Sequence, residues 1–167
     1  IPPLSFSEFV RFGGEPQASE KLVKEYLLVG GYPEWFKVKN LQLWQQFLVQ
    51  DVLKKAVYDD LVTLYEIRVP QKLEQMLYFI AKQENQSSSI NSLATALALD
   101  FETTANYLQY LKDAFLIYER RHYSFGGEKT VRKNFKYSIN DCGLRNALTK
   151  TTSLNKPETG LTAESAC

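Results

Sequence analysis

Ser89-Ile90-Asn91-Ser92-Leu93-Ala94-Thr95-Ala96-Leu97-Ala98-Leu99, the break at Asp100, Glu102 to Phe115, and then Leu116-Ile117-Tyr118 form the stretch whose reading decides the fold. Gln83 to Ser89 is polar and ends in three serines, so it reads as a loop whose last serine caps a helix over Ile90 to Leu99. A second helix runs from about Glu102 to Phe115, with Leu108, Leu111 and Phe115 inward and Thr103, Asn106, Gln109, Tyr110 and Asp113 outward. Two short helices joined by a tight turn make a helix-turn-helix. The period then changes. Leu116-Ile117-Tyr118 leads a strand to about Tyr123, Gly126-Gly127 offers a turn, and Val131, Phe135, Tyr137 and Ile139 alternate with Arg132, Asn134, Lys136 and Ser138. A hairpin after such helices is a wing.

Upstream the pattern is helical. Ser5 and Glu8 make a capping box ahead of Phe6, Phe9, Val10 and Phe12, and a second helix opens near Ser19, carries Val23, Tyr26 and Leu27, and stops at Gly30-Gly31 before the compact loop Tyr32-Pro33-Glu34-Trp35. From Leu41 to about Leu64 the positions Leu41, Trp44, Phe47, Leu48, Val52 and Lys55 keep a period near 3.6. Val69-Pro70 breaks that helix and starts the next, with Leu73, Met76, Leu77, Ile80 and Ala81. After the hairpin, Cys142 to Leu148 forms a short helix, and the polar stretch Thr149 to Thr159 reads as a linker. The expected fold is therefore mainly α: a helical bundle followed by a winged helix-turn-helix with a two-stranded β wing. Its expected divisions are residues 1–69, a helical lid-like region, residues 70–140, the winged helix-turn-helix, and residues 141–167, a short helix, linker and truncated start of a further domain.

Composition narrows the function. Twenty Lys and Arg against nineteen Asp and Glu give a net charge of +1, so any electrostatic commitment to an anionic partner must be local. It is local: Glu119 to Lys136 holds Arg120, Arg121, Lys129, Arg132, Lys133 and Lys136 against Glu119 and Glu128, a net +4 that leaves −3 for the remainder. A positive wing interleaved with Tyr123, Phe125 and Phe135 suits contact with a phosphate backbone, and Asn106 and Gln109 are the residues of the second helix suited to reading base edges. Glu102 and Asp113 on that same helix face oppose such contact. Two readings stay open, nucleic-acid contact through the wing and a protein-binding role for the module.

Catalytic and metal chemistry find little purchase. None of the eight glycines is followed by Lys, so no Gly-x-x-x-x-Gly-Lys phosphate loop is present. The single histidine, His122, stands beside Arg120 and Arg121 and reads as a wing residue, while Cys142 and Cys167 belong to no Cys-x-x-Cys pair, which fits a reducing compartment. Asp59-Asp60 reads as a solvated helix face, and Asp141 as the cap of the helix that follows. The aromatics Trp35, Phe36, Trp44 and Phe47 read as core. No run approaches the ~18 apolar residues that span a bilayer, so no membrane is expected as partner. The chain starts without Met and reads as a piece of a larger cytoplasmic protein.

Four stretches together resemble the archaeal-type AAA-related ATPases, in which a P-loop domain is followed by a winged helix and a restriction-endonuclease-like C-terminal domain. They are Pro3-Leu4-Ser5-Phe6-Ser7-Glu8-Phe9, Gly30-Gly31-Tyr32-Pro33-Glu34, Ser92-Leu93-Ala94 with Thr104 to Leu111, and Tyr137 to Leu148. The resemblance implies that this chain is the lid and winged-helix region, without the P-loop domain. ATP and Mg then belong to the intact protein, whose ATPase domain lies upstream as a partner. It also implies that Leu161-Thr162-Ala163-Glu164 stands at the threshold of a nuclease-like domain, where Glu164 alone cannot catalyse. The resulting expectation is a non-catalytic region, with no cofactor of its own, that couples nucleotide state to a DNA or protein partner; the alternatives are a protein-interaction or oligomerisation module without DNA binding, and a fragment of a nuclease-associated ATPase.

Overall fold

In a computed structural model of the chain, residues 2–83, 87–121 and 134–154 are described. They are mainly helical, with one small antiparallel sheet. Helix α1 (Phe6–Phe12) starts on the Ser5–Glu8 capping box, and α2 (Glu20–Val29) starts on the Ser19 hydroxyl, which accepts from Leu22 N–H. A short α3 (Trp35–Val38) follows the Gly30-Gly31 stop, where the sequence suggests only a loop; it ends on Lys39 in the left-handed region. The packing of Trp35 against Trp44, with ring centroids 5.8 Å apart, accounts for that extra turn of helix.

The long helix is continuous but not uniform. It runs as α4 (Leu41–Phe47), a π-helical segment (Leu48–Leu61) and α5 (Val62–Tyr65). Its buried positions are Trp44, Leu48, Leu53, Val57 and Leu61, a spacing of four or five residues. Bonding from i to i+5 widens the turn beyond the about 3.6 residues of an α-helix, and that wider turn keeps these side chains on one face. The 3.6 register is thereby corrected: Lys55 is exposed and pairs with Asp51 at 3.0 Å, Val52 is half-buried, and Leu53 takes the core position.

Pro70 opens α6 (Pro70–Lys82), whose buried face is the expected Leu73, Met76, Leu77, Ile80 and Ala81. Ser87–Ser89 is not a loop but a strand, β1, antiparallel to β3 (Asn134–Ile139). An edge of β3 left open would present unpaired N–H and C=O groups, and the extended backbone that lets Ser89 cap α7 also carries it alongside that edge. Helices α7 (Ile90–Leu97) and α8 (Phe101–Asp113) follow, the second capped by Asp100, whose carboxylate accepts from Thr103 N–H at 2.8 Å. Phe115, expected inside, lies beyond the end of α8 at φ +56° and is 59% exposed; Tyr107 is buried in the helix instead. Strand β2 (Ile117–Arg121) pairs with β3, giving the order β1-β3-β2. The expected Gly126-Gly127 turn and the strand residues Val131, Arg132 and Lys133 lie outside the described residues.

Helix α9 (Cys142–Thr149) packs against α2, α4, α6 and the π segment rather than standing apart. A single cluster of buried side chains runs from Phe9 to Leu148 through all three stretches that the sequence suggests. Thr151, expected in a linker, is held through its carbonyl by the Gln45 amide at 2.6 Å.

The π register makes a direct expectation. Leu53→Ala should cost about 2–5 kcal/mol in chemical denaturation, as deletion of a fully buried Leu does, whereas Lys55→Ala should stay within about 0.5 kcal/mol. Equal effects at the two positions would rule the register out.

Candidate nucleic-acid interface

Register in the β2–β3 pair sorts its side chains. Ile117 faces Ile139 and Glu119 faces Tyr137, with Ile117, Ile139 and Tyr137 buried. On the other face Tyr118 sits opposite Ser138, and Arg120 opposite Lys136. Two like charges directly across a strand pair repel, so this pair concentrates positive charge on that face. Lys136 is exposed. Arg120 is half-buried, donates from Nη2 to the Ser138 hydroxyl at 3.3 Å, and lies with its guanidinium 5.3 Å from the centre of the Tyr118 ring, which fixes where its charge is presented.

The other candidates divide. Arg121 is in β2 opposite Phe135 by backbone register, and Lys129, Arg132 and Lys133 lie outside the described residues. Asn106 and Gln109 both lie on α8 as expected and both are exposed, but Gln109 donates its amide to Asp113 at 2.7 Å. Asp113 also accepts from the Tyr65 hydroxyl at 3.1 Å, and the Tyr65 and Tyr110 rings stack with centroids 3.7 Å apart. Lys112, the cation of α8, is 3.0 Å from Glu119 and so is offset within the fold. At the other end, hydrogen bonds from the Thr103 side chain and backbone hold the Asp100 carboxyl below its ordinary range, so the N-terminus of α8 carries a carboxylate. The end of the long helix thus touches α8. No spacing in the sequence signals that contact, because Tyr65 and Tyr110 lie on separate helices and meet only in the fold.

Asp141 is the other carboxylate singled out by the sequence, and the structure makes it a buried joint. Its side chain accepts from Gly31 N–H and Leu144 N–H, each at 2.7 Å, so it caps α9 and at the same time holds the Gly30-Gly31 turn. Gly30, at φ +80°, leaves the space that this carboxylate fills. Burial raises the carboxyl to about 6, against the lowering effect of the bonds from Gly31, Leu144 and Gly143. Asp59 and Asp60 are exposed, with Asp59 on an open cleft beside Lys54, Lys55, Tyr58 and Glu74. Among the described residues, no group of three His, Cys, Asp or Glu is placed to hold a metal ion, and no helix is long and apolar enough to cross a membrane.

Residues 20–155 match a family described as a domain of unknown function, DUF8612. The chain belongs to the DUF8612 family. An uncharacterized protein of Haemophilus influenzae is 27% identical over 153 residues, covering 87% of this chain and 38% of that protein. Two uncharacterized proteins of Methanocaldococcus jannaschii, MJ1544 and MJ1637, are 25% and 26% identical, covering 83% and 79% of this chain and 34% and 28% of their own lengths. This DUF8612 chain therefore spans about a third of the length of the curated relatives it matches. No solved structure matches it significantly.

The Asp141 joint gives a test with a definite sign. In Asp141→Asn an amide NH2 replaces one acceptor oxygen and faces a backbone N–H, so the variant should lose about 1–3 kcal/mol at pH 7 by urea denaturation. Because the folded-state pKa lies above the ordinary 3.8, the cost of ionising the buried carboxyl is present above pH 6 and fades as pH falls toward 4. Wild type should therefore gain stability over the variant between pH 7 and pH 5; a constant gap across that range would contradict the buried site.

Proposed function

We propose that this chain is the non-catalytic, winged-helix region of a longer P-loop ATPase of the AAA-related type, and that it couples the nucleotide state of that protein to DNA through the outer face of β2 and β3. The order α6, α7, α8, β2, β3 supports a winged helix-turn-helix, with β2 and β3 as the wing. The observation that carries the nucleic-acid reading is the Arg120–Lys136 pair on the sheet face turned away from Ile117 and Ile139. The four resembling stretches support the ATPase context, and the length of the relatives leaves room for further domains. The residues here do not fit ATP or Mg, since no Gly-x-x-x-x-Gly-Lys loop is present, so no step is assigned to either within this chain.

Contact in this reading is with phosphates rather than with base edges. Gln109 is tied to Asp113, Lys112 to Glu119, and two carboxylates lie at the ends of α8. Such binding is insensitive to sequence and strongly sensitive to salt. The second reading, a protein-docking module, is favoured by Phe101 and Phe115, aromatic side chains 56% and 59% exposed at the two ends of α8. In either reading the protein works in the cytoplasm.

Fluorescence anisotropy with labelled duplex of unrelated sequences, at two salt concentrations, separates the readings. Phosphate contact should give similar affinities for all duplexes, falling steeply with salt. Arg120→Ala with Lys136→Ala should weaken binding uniformly and lower the salt slope by about 1 for each phosphate no longer neutralised. Absence of binding at low salt would discard the DNA reading in favour of docking to protein.

A further inference from the structure

We propose that Tyr65 is a clasp that holds the outward face of α8 closed, so that this helix meets a nucleic-acid partner only after the end of the long helix swings away. The proposal rests on the reading of β2 and β3 as a DNA-contacting wing, and adds α8 as a second contact that the closed arrangement withholds. Tyr65 is the last residue of α5, and its ring stacks on Tyr110 with an interplanar angle of 13° while its hydroxyl donates to Asp113. Asp113 in turn accepts the Gln109 amide. Three outward residues in the last turn of α8 are therefore occupied from within the chain, and a duplex that received α8 in its groove would meet α5 there.

The clasp is built to open. Leu64 beside it is 70% exposed, so the helix end carries little buried apolar area on that side. Glu66, next in the chain, stands at φ +50°, a left-handed backbone that a residue with a Cβ adopts under strain. Asp113 receives both the Tyr65 hydroxyl and the Gln109 amide, so release of Tyr65 leaves Gln109 and Asp113 paired and Tyr110 bare. An unstacked Tyr110 next to Gln109 and Asn106 presents an aromatic face and an amide to a nucleotide, a combination suited to stacking on bases.

The test uses the whole chain with Tyr65→Ala, which removes ring and hydroxyl, and Tyr65→Phe, which keeps the ring and the fold but breaks the bond to Asp113. Binding of labelled single-stranded and duplex DNA is measured by anisotropy beside the Arg120→Ala, Lys136→Ala variant. A closed clasp predicts tighter binding by Tyr65→Ala, roughly five- to tenfold, a smaller gain by Tyr65→Phe, and loss of the gain when Tyr110→Ala or Asn106→Ala is added. Unchanged or weaker binding by both Tyr65 variants, with binding by the wild type abolished in the strand variant, would overturn the clasp and leave the proposed function standing. No binding by any of these proteins would overturn both.

Discussion

Helix α2 ends on carbonyl oxygens that its own turns leave short of donors, and the rest of the molecule is arranged to supply them. The last turn of any α-helix leaves its C=O groups without intrahelical donors, and such groups are costly to bury unpaired. Here the Tyr26 carbonyl accepts from Gly30 N–H and from the Cys142 thiol, the Leu27 and Leu28 carbonyls accept from the Asn146 amide at 2.9 and 3.0 Å, and the Val29 carbonyl accepts from the Trp44 indole at 2.8 Å. The side-chain donors all come from α9 or α4. Gly143 allows the approach, because a Cβ at that position would overlap the Val29 carbonyl. Asp141 closes the joint from the other side by holding Gly31.

That joint decides where the candidate interface lies. It anchors the start of α9, and α9 follows directly from β3 through Asn140, whose N–H donates to the Leu116 carbonyl at 3.0 Å. The end of β3 and the start of β2 are thus tied to the helical core, with Ile117 and Ile139 paired and buried. Arg120 and Lys136 stand farther along the same two strands and point to the opposite face. The core end of the sheet is rigid by packing, and its charge is carried away from that anchorage.

Much of this is legible in the residues. Capping boxes, Gly30-Gly31, Pro70 and the alternation through Tyr137 and Ile139 all act locally, so spacing reveals them. Three features are not. The π segment escapes a reading at period 3.6, although the run Trp44, Leu48, Leu53, Val57, Leu61 carries the wider spacing in plain view. Strand β1 reads as a loop because three serines have no strand propensity of their own, and only the open edge of β3 orders them. Phe115 falls in the core only if the α8 stripe is continued one turn too far, past the end of the helix and onto a residue with a left-handed backbone. For the site, the sequence places Asn106, Gln109 and Lys136 on the surface, where they are, and Arg120 beside them, where it is half-buried. The Gln109–Asp113 pair is an i,i+4 contact within α8 that spacing allows, whereas the contacts of Tyr65 with Asp113 and of Lys112 with Glu119 join separate elements and form only in the folded state.

The central claim is that one cooperative core is pinned where α2 meets α9. Urea unfolding of Gly143→Ala, followed by tryptophan fluorescence at Trp35 and Trp44 and by far-UV circular dichroism, tests it most directly. The account predicts a loss of about 1–3 kcal/mol with both probes moving together in a single transition. An unchanged midpoint, or a fluorescence transition separated from the loss of helix, would contradict it.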